Sequence, residues 1–257
     1  GNIGTATGQL YVGGQVPGAA LGTSTSGLGL AKSVVVQGRY AYTVGNTSLV
    51  VFDVSNPASP TNVGSTTTGI NSANDIAVSG HYAYVLNQGG TTMTVYDISN
   101  PNSPTNVGSV STPSNPLYIY IQGHYAYVDS LSTFSIFDIS DPTAPVSRSN
   151  TILSGPRGLY VQGNYAYIAD YNANLLRIMD VTDPTSPVAD GTLSISRPWD
   201  VYVQDGYAYV VGNDSNLLDI VNVSNPLSPG LTGTISTGTS STPYSIYVQG
   251  RYAYVAD

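Results

Sequence analysis

Short runs in which apolar and polar residues alternate, each bounded by turn residues, follow one another along the chain. The segment from Asn74 to Thr112 carries one full cycle. Asp75-Ile-Ala-Val-Ser79 alternates, Gly80-His81 is a turn, and Tyr82-Ala-Tyr-Val-Leu86 alternates again. A period of two over so few residues predicts two strands joined as a hairpin. A polar loop from Asn87 to Thr91 leads into a third strand, Met93-Thr-Val-Tyr-Asp-Ile98. Ser99-Asn100-Pro101-Asn102-Ser103-Pro104 is dense in turn residues, and Asn106-Val-Gly-Ser-Val110 reads as a fourth strand whose neighbouring prolines suit an outer edge. One unit is thus a four-stranded meander.

The cycle repeats. Tyr-Ala-Tyr occurs six times, starting at Tyr40, Tyr82, Tyr125, Tyr165, Tyr207 and Tyr252, at intervals of 42, 43, 40, 42 and 45 residues. Such a period marks units that cannot bury their apolar faces alone and must stack on their neighbours. Four short antiparallel strands in roughly 43 residues suit the blade of a β-propeller better than a stacked solenoid. The expected fold is all-β: a six-bladed β-propeller of four-stranded antiparallel blades, one domain over residues 1–257. The blades fall at about 32–70, 74–112, 117–153, 157–195, 199–237 and 244–257, the last completed by 1–27. Gly8-Gln-Leu-Tyr-Val12 resembles a third strand, and Leu21-Gly-Thr-Ser-Thr-Ser-Gly27 aligns with Val63-Gly-Ser-Thr-Thr-Thr-Gly69. Gly22 and Gly64 each lie 18 residues before a Tyr-Ala-Tyr. The ring is therefore expected to close by N-terminal outer strands pairing with C-terminal inner strands, which leaves no open inner seam.

Residues two apart on a strand share a face, so both rings of each Tyr-Ala-Tyr should enter one layer between blades while the alanine offers a small surface to the opposite layer. Composition supports strands and turns. All 15 acidic residues are Asp, Lys32 is the single lysine, and Ser, Thr, Val, Tyr, Gly and Pro outweigh the good helix formers. The net charge of −8 removes the electrostatic attraction on which phosphate-backbone binding depends, so nucleic acid is not an expected partner. An anionic membrane surface is disfavoured for the same reason, and no run of about 18 apolar residues exists to insert directly into a bilayer. Cysteine is absent, which excludes disulfides and thiolate chemistry. A low-charge surface rich in Ser, Thr, Gly and Asn is expected of a secreted or surface-displayed protein. A chain opening at Gly1 and closing inside a repeat is expected of a domain cut from a longer one.

The third strand and the turn after it recur as Leu49-Val-Val-Phe-Asp-Val-Ser-Asn-Pro57, Thr94-Val-Tyr-Asp-Ile-Ser-Asn-Pro101, Ser135-Ile-Phe-Asp-Ile-Ser-Asp-Pro142, Leu176-Arg-Ile-Met-Asp-Val-Thr-Asp-Pro184 and Leu218-Asp-Ile-Val-Asn-Val-Ser-Asn-Pro226. These segments resemble the LVIVD repeat family, whose members are regarded as β-propellers of bacterial and archaeal cell-surface and secreted proteins. The resemblance implies the fold and brings no catalytic motif or cofactor. Leu10-Tyr-Val-Gly-Gly-Gln-Val-Pro17 departs from it, lacking both the Asp and the Ser-Asn-Pro turn. The recurring Asp53, Asp97, Asp138 and Asp180 are expected to accept hydrogen bonds from turn amides, a role that Asn222 keeps in the fifth unit without the charge.

Ligands of propellers usually meet the mouth of the channel, where loops lead into the innermost strands. The positions eight residues before each Tyr-Ala-Tyr are Lys32, Asn74, Leu117, Arg157, Trp199 and Tyr244, followed by Ser33, Asp75, Tyr118, Gly158, Asp200 and Ser245. Among units that otherwise agree closely, this ring is diverse and holds the only Lys and the only Trp. In a six-fold ring Asp75 is expected to oppose Asp200, and Lys32 to oppose Arg157. Flat apolar faces from Tyr118, Trp199 and Tyr244 beside polar groups suit a sugar or a peptide. The leading expectation is a non-enzymatic binding or adhesion module holding a protein or glycan through Lys32, Asn74, Asp75, Tyr118, Arg157, Trp199, Asp200 and Tyr244, with no cofactor. The alternatives are a glycan-active hydrolase or lyase using Asp75 and Asp200 as its carboxylate pair, and a structural spacer. Asp170-Tyr-Asn172-Ala-Asn174 has the alternating oxygens of a calcium loop but lacks the later Glu and the glycine, so no metal is expected there. His81 and His124 fall in the first-to-second-strand turn and are expected to be exposed turn residues.

Overall fold

The computed structural model describes residues 27, 29–238 and 242–256. The strand expected at Gly8–Val12 and, apart from Gly27, the segment aligned at Leu21–Gly27 lie outside them. Among the described residues, twenty-two strands form five four-stranded antiparallel sheets and one hairpin, and strands consecutive in the chain are neighbours in each sheet. The first sheet is β1 (Ala31–Gln37), β2 (Tyr40–Gly45), β3 (Leu49–Asp53) and β4 (Thr61–Thr66); the second is β5 (Ala73–Ser79), β6 (Tyr82–Asn87), β7 (Thr92–Asp97) and β8 (Thr105–Ser111). The third comprises β9 (Pro116–Gln122), β10 (Tyr125–Ser130), β11 (Thr133–Asp138) and β12 (Val146–Ile152). The fourth comprises β13 (Pro156–Gln162), β14 (Tyr165–Asp170), β15 (Leu175–Asp180) and β16 (Val188–Ser194). The fifth is β17 (Pro198–Gln204), β18 (Tyr207–Gly212), β19 (Leu217–Asn222) and β20 (Gly230–Ser236), and the hairpin is β21 (Ser245–Gln249) with β22 (Tyr252–Ala256). The chain divides into two compact units. The first holds the described residues up to Ser130 together with Ser135–Arg148, and the second holds Leu131–Phe134 and the described residues from Ser149 onward.

In the first unit the second sheet is covered on both faces. Ala83 and Val85 of β6 share a cluster with Tyr42, Val44 and Val51 of the first sheet, whereas Tyr84 and Leu86, on the opposite face, cluster with Ile119, Ala126 and Val128 of the third. The tyrosines of one sheet therefore meet the alanine of the next, a large-on-small fit that keeps the layer dense. Tyr82 packs partly buried beside Tyr84, as the two-residue period requires. Burial pushes the Tyr84 hydroxyl up to about 12. The second unit repeats the arrangement, with Tyr167 of β14 clustered with Ala208 and Val210 of β18.

The recurring carboxylates close turns. Oδ1 of Asp53, Asp97, Asp138 and Asp180 accepts the amide N–H two residues on, at 2.8–2.9 Å, and Asn222 does the same for Ser224 at 3.0 Å. Three residues beyond each lies a second Asx turn, built on Asn56, Asn100, Asp141, Asp183 and Asn225. Hydrogen bonds to the ionised form hold Asp97, Asp138 and Asp180 below the usual carboxylate range, Asp138 at about 2 with help from Arg148. The residue after each carboxylate is tied back to the hairpin turn: Val54, Ile98, Ile139 and Val181 donate their N–H to the carbonyls of Arg39, His81, His124 and Asn164. Both histidines thus sit in the first-to-second-strand turn, and both are exposed.

Glycines in the outer strands admit the turns of the neighbouring sheet. A Cβ at Gly64, Gly108 or Gly191 would collide with the carbonyl oxygen of Pro101, Pro142 or Pro226, each in the double turn of the following sheet. Only a residue without a side chain lets these turns approach so closely. At Gly233 the same added Cβ meets nothing within 4 Å among the described residues. Gly191→Ala should lower stability by about 1–3 kcal/mol, as overpacking does; thermal melts of the variant beside wild type check this.

Candidate functional site

The diverse positions upstream of each Tyr-Ala-Tyr share a structural origin. Where the first strand of each four-stranded sheet pairs with the second, the register slips by one residue: Ala31 and Ser33, Ala73 and Asp75, Pro116 and Tyr118, Pro156 and Gly158, and Pro198 and Asp200 face consecutive partners. Lys32, Asn74, Leu117, Arg157 and Trp199 are the residues left over. A bulge re-aims its extra side chain out of the regular alternation. These five positions are accordingly outside the alternating pattern that keeps their neighbours alike. Tyr244 directly precedes β21 and donates its N–H to Ala256 O at 2.8 Å.

In the first unit the bulges are bound to the neighbouring sheet. Asn74 Nδ2 donates to Leu117 O at 2.7 Å. Asp75 accepts the N–H of its own neighbour Ile76 on Oδ1 and that of Ile119, in the next inner strand, on Oδ2, both at 2.9 Å, and Ser33 bonds to it from the preceding strand. Burial outweighs these hydrogen bonds and pushes the Asp75 carboxyl up to about 6. Tyr118 is half-buried, and Lys32 is exposed beside a groove it shares with Phe52, Val54 and Pro60.

In the second unit Asp200 makes the same link. Its Oδ1 accepts Val201 N–H at 2.8 Å, and its Oδ2 accepts Ile246 N–H at 2.9 Å and Ser245 Oγ–H at 3.0 Å. Gly158 is required beside it, because an added Cβ would lie 2.6 Å from Asp200 Cα. At the other end of the inner strands, Gln37 and Gln204 donate to the turn carbonyls of Gly80 and Gly250. Asp75 and Asp200 are thus joints between successive inner strands within their own units. Both oxygens of each receive N–H donors, an arrangement that serves structure.

The remaining second-unit positions form a cluster. The Trp199 ring stands edge to face with Tyr244, centroids 5.4 Å apart, and with Tyr171 at 5.3 Å, both at 87°. The Arg157 guanidinium lies 5.3 Å from the Trp199 centroid and 6.0 Å from that of Tyr171. Arg197 covers Tyr171 at 4.8 Å and reaches to 3.7 Å from Asp214, whose Oδ2 also accepts the Tyr171 hydroxyl at 2.8 Å. Sequence reasoning named Arg157, Trp199 and Tyr244 but missed Tyr171, Arg197 and Asp214. Arg197 adopts φ +48°, an uncommon backbone conformation held by a bond from its N–H to Asn174 Oδ1. Both Tyr171 and Asp214 follow the ends of second strands, so the loop after each second strand belongs to the site as much as the loop before the first.

The loop at Asp170, Asn172 and Asn174 has protein partners for its polar groups. Asp170 accepts Gly155 N–H at 2.9 Å and Arg177 Nε–H at 2.6 Å, and Asn172 donates to Ser154 O. These bonds fix the neighbouring turn that carries Tyr171. No group of three or more His, Cys, Asp or Glu residues suited to a metal occurs among the described residues.

Sheets of this design, repeated along the chain, define a repeat β-propeller fold. The LVIVD repeat matches residues 28–68, 71–112, 118–151, 157–193, 197–237 and 243–257, and the chain belongs to the LVIVD repeat family. Solved structures similar in fold include a functionally unknown protein from Desulfotomaculum acetoxidans, 16% identical over 80% of this chain and 70% of that one, with a TM-score of 0.70. A periplasmic gluconolactonase from Pseudomonas aeruginosa is 14% identical over 88% of this chain and 73% of that one, TM-score 0.71. A putative 6-phosphogluconolactonase from Bacteroides fragilis is 14% identical over 87% and 76%, TM-score 0.73. No curated protein matches the chain.

Asp75 gives the protein a pH signature. Its folded value near 6 lies above that of an unfolded carboxylate, so the folded state binds the extra proton and stability falls as pH rises from about 4 to above 6, by at most about 3 kcal/mol. The turn carboxylates are shifted the other way, and their contribution is lost as pH falls below about 4. Unfolding midpoints measured across this range should peak between about pH 4 and 5, and Asp75→Asn should flatten the descending limb above the peak.

Proposed function

We propose that the chain is a non-enzymatic binding module of a secreted or surface-displayed protein, and that it holds a glycan or protein ligand on the cluster around Trp199. The observation that carries this reading is the convergence of Arg157, Trp199 and Tyr244, from three successive repeats, with Tyr171, Arg197 and Asp214. Half-exposed aromatic faces next to fixed charged groups are what a sugar ring or a peptide side chain uses for stacking and orientation. The low surface charge supports display outside the cell, and no helix among the described residues is long and apolar enough to cross a membrane. A glycan array or pull-down screen with Trp199→Ala/Arg157→Ala against wild type tests it. Binding should fall at least tenfold, and unchanged binding removes the cluster as a site.

Lactonases among the structural neighbours are enzymes, which keeps a second reading in view: hydrolysis using Asp75 and Asp200. The backbone amides that occupy both carboxylates favour the binding role.

We also propose that the array closes as six blades, with the β21–β22 hairpin completed by residues 1–27. The rule that tyrosines of one sheet meet the alanine of the next leaves Tyr252 without such a partner among the described residues, 67% exposed, while Val34 and Val36 of the first inner strand are 60% and 61% exposed. Such apolar faces favour cover by a further sheet. Removing residues 1–27 should lower the melting temperature by several degrees and broaden the transition; a melt identical to that of the full chain counts against closure.

A further inference from the structure

Within the same cluster, the arginines select what kind of ligand fits. The Arg157 guanidinium carries five N–H donors in a planar fork. Its Nε is enclosed and has no hydrogen-bond acceptor among the described residues, and no carboxylate of those residues lies within ion-pair distance of it. Arg177, by contrast, has its Nε matched by Asp170 at 2.6 Å. Arg197 adds a second guanidinium on the Tyr171 ring, its side chain 45% exposed and only loosely paired with Asp214. A chain with a net charge of −8 thus places two of its few cations around one pair of aromatic rings.

We propose that this site takes an acidic saccharide, its sugar ring resting on Trp199 and its carboxylate on Arg157. The assignment rests on the binding role argued above and sharpens it. Aromatic faces at right angles, as Trp199 and Tyr244 present, give a sugar ring one flat wall and one edge. A planar guanidinium matches a carboxylate with two parallel N–H donors, and being weakly hydrated it loses little when a ring covers it. Asp214, with its side chain 53% exposed, can accept a sugar hydroxyl on its remaining lone pairs while it holds Tyr171. A neutral glycan would cover the terminal N–H groups of the Arg157 guanidinium without offering them a charged acceptor, which is how the site tells the two apart.

Calorimetric titration of the full chain with an oligogalacturonate, its methyl ester and a cello-oligosaccharide tests the assignment. The acid should bind at least tenfold tighter than either neutral probe and weaken as salt is raised. Arg157→Gln should reduce acid binding at least tenfold while leaving neutral probes unaffected. Arg157→Lys, which keeps the charge but not the fork, should recover only part, and Arg39→Gln, in a hairpin turn of the first unit, should change nothing. Trp199→Ala should weaken all three probes. Equal affinity for acid and ester, or an Arg157→Gln variant that binds the acid as wild type does, overturns the acidic-saccharide assignment even if Trp199→Ala still loses binding. An acidic peptide binding more tightly than the oligogalacturonate also overturns it. Wild type binding no saccharide or peptide probe at all overturns the binding role itself.

Discussion

The sheets of this protein are apolar on both faces, and that constraint governs the rest. Tyr84 and Leu86 point one way from β6, Ala83 and Val85 the other, and both sets are buried. No such sheet can satisfy both faces by folding alone, so the sheets must stack. The match of two tyrosines against the next alanine then sets the direction of stacking, since reversing it would oppose large to large. Each buried tyrosine removes about 150–250 Å² from water, so the contact that orders the array also supplies much of its stability.

Polar groups hold the sheets where the apolar layers cannot. At the outer edge, double Asx turns fold the Ser-Asn-Pro segment tightly enough to sit on the glycine of the preceding sheet. At the inner edge, Asp75 and Asp200 reach across to the next strand, and Gln37 and Gln204 do so at the far end. The turn carboxylates are held ionised by the amides and hydroxyls they accept, while Asp75 is enclosed and held toward its protonated form. The same residue type is tuned in opposite directions because the turn carboxylates keep their water while they accept donors, whereas at Asp75 the loss of water outweighs the donors it accepts.

The strands were legible because alternation and turn residues are local signals. The second unit's runs at Asp75–Ser79 and Tyr82–Leu86 fall within β5 and β6, and the turn role of Asp53, Asp97, Asp138 and Asp180 followed from their place before Ser-Asn-Pro or its variants. The two candidate acids were not legible in the same way. Nothing near Asp200 announces that its partner is Ile246 N–H, 46 residues away, because that bond exists only once two sheets are stacked. Tyr171 was hidden in a loop whose signal lay in its oxygens, and those oxygens hold the loop that presents the ring. Counting from Tyr-Ala-Tyr found Arg157 and Trp199 but gave no reason for their divergence. The reason is the bulge, which a sequence does not show.

A repeat protein made of nearly identical units faces a difficulty in building a specific site, since whatever one unit presents the others tend to present as well. The bulge at the head of each inner strand resolves it. Ser33, Asp75, Gly158 and Asp200 resume the pairing and stay committed to the neighbouring strand, while the residue before each is displaced from the ladder and its alternation. Variation there costs the array little, so Lys32, Asn74, Leu117, Arg157 and Trp199 can all differ. Where two such residues with Tyr244 meet side chains from the loops after the second strands, as in the second unit, aromatic and charged groups converge on a scaffold whose own rules they do not break. Arg197 turns the same economy to use in the backbone: its φ of +48° has counterparts at Ser72 and Asn115, the residues just before β5 and β9, yet here the position carries the second guanidinium onto Tyr171. A bend common to several repeats becomes part of a site through the identity of one side chain.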